Sequence, residues 1–142
     1  SILSERALRE IYTKAFMLCV KEGNVKSVMT SYNLLNDIYT PNSYDLCTKL
    51  LRCEWGFEGV VMTDWYASKK GQARHDLAIK AGNDLIMPGE GSAKTQIIQA
   101  IKKNIISKEE LFMACYNIVK QVFESAIYSE YVKENRYGKS KR

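Results

Sequence analysis

Apolar and polar positions along this chain switch repeatedly between a helical period and short unbroken apolar runs. Over residues 4–21, Ala7, Leu8, Ile11, Ala15, Leu18 and Cys19 recur at helical spacing, with Ser4 placed to cap and Gly23-Asn24 placed to stop. Residues 25–30 (VKSVMT) predict a buried strand that runs into the polar group Ser31, Tyr32 and Asn33. After Pro41 and Asn42 a second helix is expected over about 43–54, with Leu46, Leu50 and Leu51 on one face. Gly56 and Gly59 bracket a turn, and residues 59–63 (GVVMT) are too short and too β-branched for a helix, so they predict a second strand.

The pattern then repeats. A helix over about 70–80 ends at Gly82, where a glycine closes a helix without strain. Residues 84–87 (DLIM) predict a third strand, stopped by Pro88-Gly89. Ser92 is expected to cap a helix carrying Ile97, Ile98, Ile101 and Ile105. Ser107 with Glu110 forms a capping box for a long last helix with Leu111, Ala114, Cys115, Ile118, Val122 and Phe123. Alternating helices and strands give an α/β fold with a parallel sheet, each helix supplying the length a parallel crossover needs. Three strands do not close a barrel, for which a full chain takes about 250 residues. The pattern leaves three architectures open: a small open sheet, a part of a barrel, or a half that completes itself by association.

At 142 residues the chain is one domain's worth of sequence, and its apolar content of 46% is enough for a core. The net charge of +5 is spread out, except in the basic tail at 133–142 (KENRYGKSKR), expected to be a solvated, frayed end. No basic stripe with interleaved aromatics occurs, so nucleic-acid binding is not expected. No apolar run reaches membrane-spanning length, so no membrane association is expected either. Cys19, Cys47, Cys53 and Cys115 include no CxxC pair and no histidine at metal spacing. They are expected to be reduced core thiols, with no metal and no cofactor, which weakly favours a reducing, cytoplasmic compartment and otherwise leaves localisation open.

Asp64 is the strongest candidate for chemistry. It follows an apolar run and precedes Trp65, so the strand delivers a carboxylate and an indole together at its C-terminal end. The plain alternative is an aspartate that opens a loop or caps the next helix. Tyr32 occupies the matching place one βα unit earlier, where a phenol hydrogen bond would hold a carboxylate ionised. Trp65 is either a platform for a sugar ring or a core plug. Met29, Thr30, Met62 and Thr63 read as packing, Asp84 as a cap at the far face, and Glu54 and Trp55 as structural. His75 reads as a surface histidine, and Gly82, Gly89 and Gly91 form no phosphate-cradling motif.

Five segments, in order, resemble glycoside hydrolase family 3, the β-glucosidase and β-xylosidase family: ERALREIY (5–12), VMTSYN (28–33), LLRCEWGFEG (50–59), VVMTDW (60–65) and AGNDLIMPG (81–89). The resemblance covers nearly the whole chain. It implies a partial (β/α)8 TIM barrel of about three βα units, strands six to eight with flanking helices, as the C-terminal part of the catalytic barrel at 1–130; the basic composition of 131–142, which the resemblance leaves unmatched, is expected to make a flexible tail. It also implies that Asp64 corresponds to the nucleophile of a retaining glycosidase, Tyr32 to the tyrosine that contacts it, and Met29 and Trp65 to residues lining the sugar subsite.

The implied substrate is a β-glucoside or oligosaccharide with a terminal non-reducing β-D-glucosyl or xylosyl residue. The family's other sugar-binding groups come from earlier strands, and its acid/base glutamate from a following sandwich domain. No segment here matches either. The isolated chain is therefore expected to be inactive and to self-associate or pair with the missing barrel and sandwich segments. The competing expectation is a non-catalytic carbohydrate-binding or scaffold half-barrel that keeps Trp65 and Tyr32.

Overall fold

The computed structural model describes residues 2–68 and 71–137. The first helical segment is broken where one helix is expected. A short α1 (Glu5–Ala7), capped by Ser4 Oγ on Ala7 N–H, passes into a π-wound stretch (Leu8–Tyr12) and then α2 (Lys14–Lys21). The break falls at Thr13, whose hydroxyl and N–H both bond the Leu8 carbonyl. Little of the predicted apolar face is covered: Ile11, Ala15, Leu18 and Cys19 are exposed.

β1 (Ser27–Thr30) and β4 (Val60–Thr63) pair in parallel, with Ser27 opposite Val60 and Thr30 opposite Thr63. The close approach explains Gly59, since a Cβ there would meet the Lys26 carbonyl at 2.2 Å. β4 is buried as expected, but β1 alternates between exposed and half-buried, because one of its faces is uncovered; among the described residues it pairs only with β4. Between them lie a small antiparallel hairpin, β2 (Leu34–Leu35) and β3 (Ile38–Tyr39), a 3₁₀ turn (Thr40–Asn42) and a π-wound helix (Asp45–Glu54). Leu51 of that helix packs with Phe57 and Val61, and Val20, Val25, Val28 and Trp55 close around them.

The third strand is reduced to a single parallel bridge between Met62 and Leu85. Side chains have replaced ladder bonds on both sides of it. The Asp84 carboxylate takes the Val61 N–H at 2.7 Å, and Thr63 Oγ1 takes the Met87 N–H at 2.9 Å. Backbone bonds from Asp84 N–H to Val61 O and from Thr63 N–H to Leu85 O still hold the segment beside β4. The result is an α/β arrangement of parallel segments connected by helices.

α3 (His75–Ala81) starts later than expected and ends at Gly82 with φ of 107°. α4 (Gly91–Lys102) is not capped by Ser92: Glu90 holds the N-cap position, and Ser92 lies inside the helix. α5 (Lys108–Phe123) does carry the Ser107–Glu110 capping box. A second apolar cluster joins α3, α4 and the end of the third segment through Ala78, Ile79, Ile86, Ala93, Ala100 and Ile106. α6 (Ala126–Tyr137) extends into the stretch expected to be a tail, and the rest of that tail lies outside the described residues.

Two expectations about burial are corrected. His75 is buried, 7% exposed, because α3 turns its first residue into the body of the protein. Only Cys47 among the cysteines is buried; Cys19, Cys53 and Cys115 are exposed, since the helix faces that carry them have no covering layer.

Candidate active site

Asp64 leaves the sheet at the C-terminal end of β4. Its N–H bonds the Thr30 carbonyl at 3.1 Å, which carries the parallel pairing one residue beyond the strand. The chain then turns tightly, with Ala67 N–H returning to the Asp64 carbonyl and Tyr66 held at φ of 61°. A bulky residue in the left-handed region is costly and persists where surrounding bonds fix it. Here Tyr66 N–H is tied to the Met87 carbonyl at 3.1 Å.

That turn also holds the Asp64 side chain. The Trp65 N–H donates to Asp64 Oδ1 at 2.6 Å, which fixes the side chain against its own turn. Asp64 itself is half-buried, and the Trp65 side of the turn faces out, with the residue 54% exposed. The indole meets Tyr66 edge to face at 6.1 Å. A rigid indole face standing in solvent beside a carboxylate is a surface on which an apolar ring face can stack.

Tyr32 reaches this turn from the loop after β1. Its hydroxyl donates to the Trp65 carbonyl. Desolvation, and then the nearby Asp64 charge, push the phenol above its ordinary value of 10.0. The phenol is thus kept protonated and able to donate at neutral pH. The loop is anchored from behind by Thr40, whose hydroxyl donates to the Ser31 carbonyl at 2.6 Å and accepts the Ser31 N–H at 3.1 Å.

The structure therefore brings Asp64, Trp65 and Tyr32 together. Met29 is placed differently. It pairs in register with Met62 and lines an open apolar cavity of about 400 Å³ with Phe16, Val28 and Leu35, a cavity whose lining includes neither Asp64 nor Trp65. Asp84 is buried at the other end of β4, bonded to Arg52 at 2.6 Å and to Asn117 at 2.9 Å. Burial pushes its carboxyl up while its donors pull it down, and burial prevails.

Two residues behind the site were not expected there: Thr30, which reads as packing in the sequence, and Asn83, which the pattern does not single out. The signal for Asn83 is a polar side chain wedged between a helix-closing glycine and an apolar run, a place where an amide is buried and must find partners.

The family profile described as the glycosyl hydrolase family 3 N terminal domain matches residues 2–122. A β-glucosidase from Ruminococcus albus is 40% identical over 128 residues, covering 84% of this chain and 13% of that protein. A β-glucosidase from Rhizobium radiobacter is 43% identical over 122 residues, covering 75% of this chain and 14% of that protein. The solved structure of β-glucosidase 3B from Thermotoga neapolitana in complex with glucose superimposes with a TM-score of 0.82 at 41% identity, covering 92% of this chain and 19% of that chain. The chain thus spans well under a quarter of the length of these relatives.

Proposed function

This chain belongs to glycosyl hydrolase family 3, and from that premise we propose that it supplies the latter part of the catalytic barrel of a retaining β-glycosidase, with Asp64 as nucleophile. The observation that carries the reading is the junction itself: a carboxylate at the C-terminal end of a parallel strand, bonded by Trp65 N–H and faced by the Tyr32 phenol. Barrel enzymes place their chemistry at that end of the strands. The glucose complex of the Thermotoga neapolitana enzyme, and the β-glucosidase names of the relatives, favour a terminal non-reducing β-D-glucosyl residue as the group transferred, with a xylosyl residue as the variant.

In this reading Asp64 attacks the anomeric carbon, the bond to the leaving oxygen breaks, and a covalent glycosyl-enzyme forms. A second carboxyl group, about 5–5.5 Å away, protonates the leaving oxygen and then deprotonates the water that releases the sugar. The Trp65 N–H keeps the nucleophile aimed, Tyr32 ties its turn to the loop after β1, and the Trp65 indole packs on a sugar face. In this reading the partner carboxyl comes from the following sandwich domain, as the family resemblance implies. A nucleophile without its acid and its sugar-binding groups has little differential hold on the transition state, so the isolated chain is inactive.

The test is an exchange of segments. This chain, put in place of its counterpart in the Thermotoga neapolitana enzyme, is expected to restore hydrolysis of an aryl β-glucoside, and Asp64→Asn in that hybrid to abolish it. The chain alone is expected to show none. A folded hybrid that keeps its activity with Asn at position 64 contradicts the reading. A hybrid that binds glucose, seen by tryptophan emission, without any turnover supports the non-catalytic carbohydrate-binding alternative instead.

A further inference from the structure

We propose that Asn83 is a positioning residue for Asp64, acting through Thr30; the inference rests on the reading of Asp64 as the nucleophile. Asn83 is fully buried. Its Nδ2 donates to the Pro41 carbonyl at 2.7 Å and to the Ala78 carbonyl at 3.0 Å. Two carbonyls on one side fix which way the amide faces, because only the NH₂ end can donate. Oδ1 is therefore the end turned towards β1, where it accepts the Thr30 hydroxyl at 3.2 Å. The same hydroxyl lies 3.4 Å from the Met62 carbonyl, the longer of its two options.

Thr30 is where the two halves of the site meet. It ends β1, its carbonyl receives the Asp64 N–H, and the next residues lead directly to Tyr32. Pro41 follows Thr40, whose hydroxyl holds Ser31. One amide thus ties α3, the 3₁₀ turn and the end of β1 to each other. It thereby sets how far the loop with Tyr32 stands from the turn with Asp64. Asn83 touches neither residue itself, so its role is to fix geometry. Pre-organised donors and nucleophiles depend on such support from residues behind them.

Amide hydrogen exchange on the full chain, read by NMR, tests this. Thr30→Val removes the hydroxyl and keeps the branched shape. Asp64 N–H exchange is expected to accelerate about tenfold, the effect of losing one ordinary hydrogen bond. Val60 N–H, bonded to Lys26 at the other end of the same strand, is expected to change by less than about twofold. Thr30→Ser, which keeps the hydroxyl, is expected to restore the native Asp64 rate. Equal acceleration at both amides, or none at Asp64, overturns the proposal, since a merely structural loss acts on the whole ladder.

If the valine variant does not fold, the unsubstituted chain decides. The Asn83 NH₂ protons are expected to exchange as slowly as Asp64 N–H, and exchange at the rate of a free side-chain amide overturns the proposal. These readouts need no substrate, so the outcome is independent of whether Asp64 proves to be the nucleophile.

Discussion

The Tyr32 hydroxyl donates to the main-chain carbonyl of Trp65, which joins the loop after β1 to the turn after β4 beside the Asp64 carboxylate. Two segments of chain that are remote in sequence are locked together where a carboxylate emerges. The relationship has a direct titration consequence. Tyr32 lies above its ordinary value of 10.0 through desolvation first and the Asp64 charge second. Asp64→Asn removes the charge and the hydrogen bond to the carboxylate, and leaves the desolvation. The Tyr32 midpoint, followed by NMR of a tyrosine-labelled chain, is expected to fall while staying above the ordinary value. An unchanged midpoint would show that phenol and carboxylate do not face each other.

At the opposite end of β4, the buried Asp84 and the half-buried Arg52 form an ion pair that also binds backbone. Asp84 Oδ2 takes Val61 N–H, and Arg52 donates to the Gly59 and Gly82 carbonyls. Asp84→Ala leaves the Val61 N–H without its acceptor and the guanidinium without its counter-charge, held only by the two carbonyls. It is expected to cost about 3–5 kcal/mol of folding stability, read from the urea midpoint. A loss below about 1 kcal/mol would place the pair with weak surface bridges.

His75 gives the pH dependence of stability. Burial pushes its imidazole below the ordinary 6.5, against the Glu90 and Asp76 charges, and its Nδ1 has no partner. A depressed histidine means that the unfolded chain binds more protons, so stability rises with pH across this range. The contribution is full above the unfolded value and is lost as the pH falls below it, down through the folded value. The urea midpoint is therefore expected to drop between pH 7 and pH 5, and His75→Gln to flatten that drop. An equal drop in the variant would assign the effect elsewhere.

The uncovered apolar surface predicts self-association. Among the described residues β1 pairs only with β4; Phe16, 53% exposed, lines a cavity with its Val28 and Met29, and Ile11 is 69% exposed. Free strand edges and contiguous apolar patches pair when nothing covers them. Light scattering at micromolar concentration is expected to show a species larger than a monomer, and Phe16→Glu to shift it towards the monomer. A monomeric unsubstituted chain would contradict this.

Much of the architecture was legible in the chain because it rests on local rules. The Ser107–Glu110 box, the left-handed Gly82 and the β-branched run of β4 each declare their element within a few residues. The misreadings share one cause, which is that side chains and packing decided what local pattern could not. The third strand looked regular, yet Asp84 and Thr63 took over its ladder bonds. His75 looked like a surface residue because nothing near it in sequence announces that the start of α3 is buried. Cys19 and Cys115 looked like core residues, but their helix faces are uncovered. At the site, Asp64 and Trp65 were legible as the end of an apolar run. The tie from Asn83 to Thr30 spans 53 residues and could be found only in three dimensions.

The central claim is that Asp64 forms a covalent bond with the sugar. The hybrid enzyme, treated with a 2-deoxy-2-fluoro aryl β-glucoside that forms the glycosyl-enzyme and hydrolyses it slowly, is digested and its peptides are weighed. A fluoroglucosyl adduct on the peptide containing Asp64, fragmenting to that residue and absent with Asn in its place, is the predicted result. An adduct on any other carboxylate, or full inactivation with no adduct at Asp64, would contradict the account.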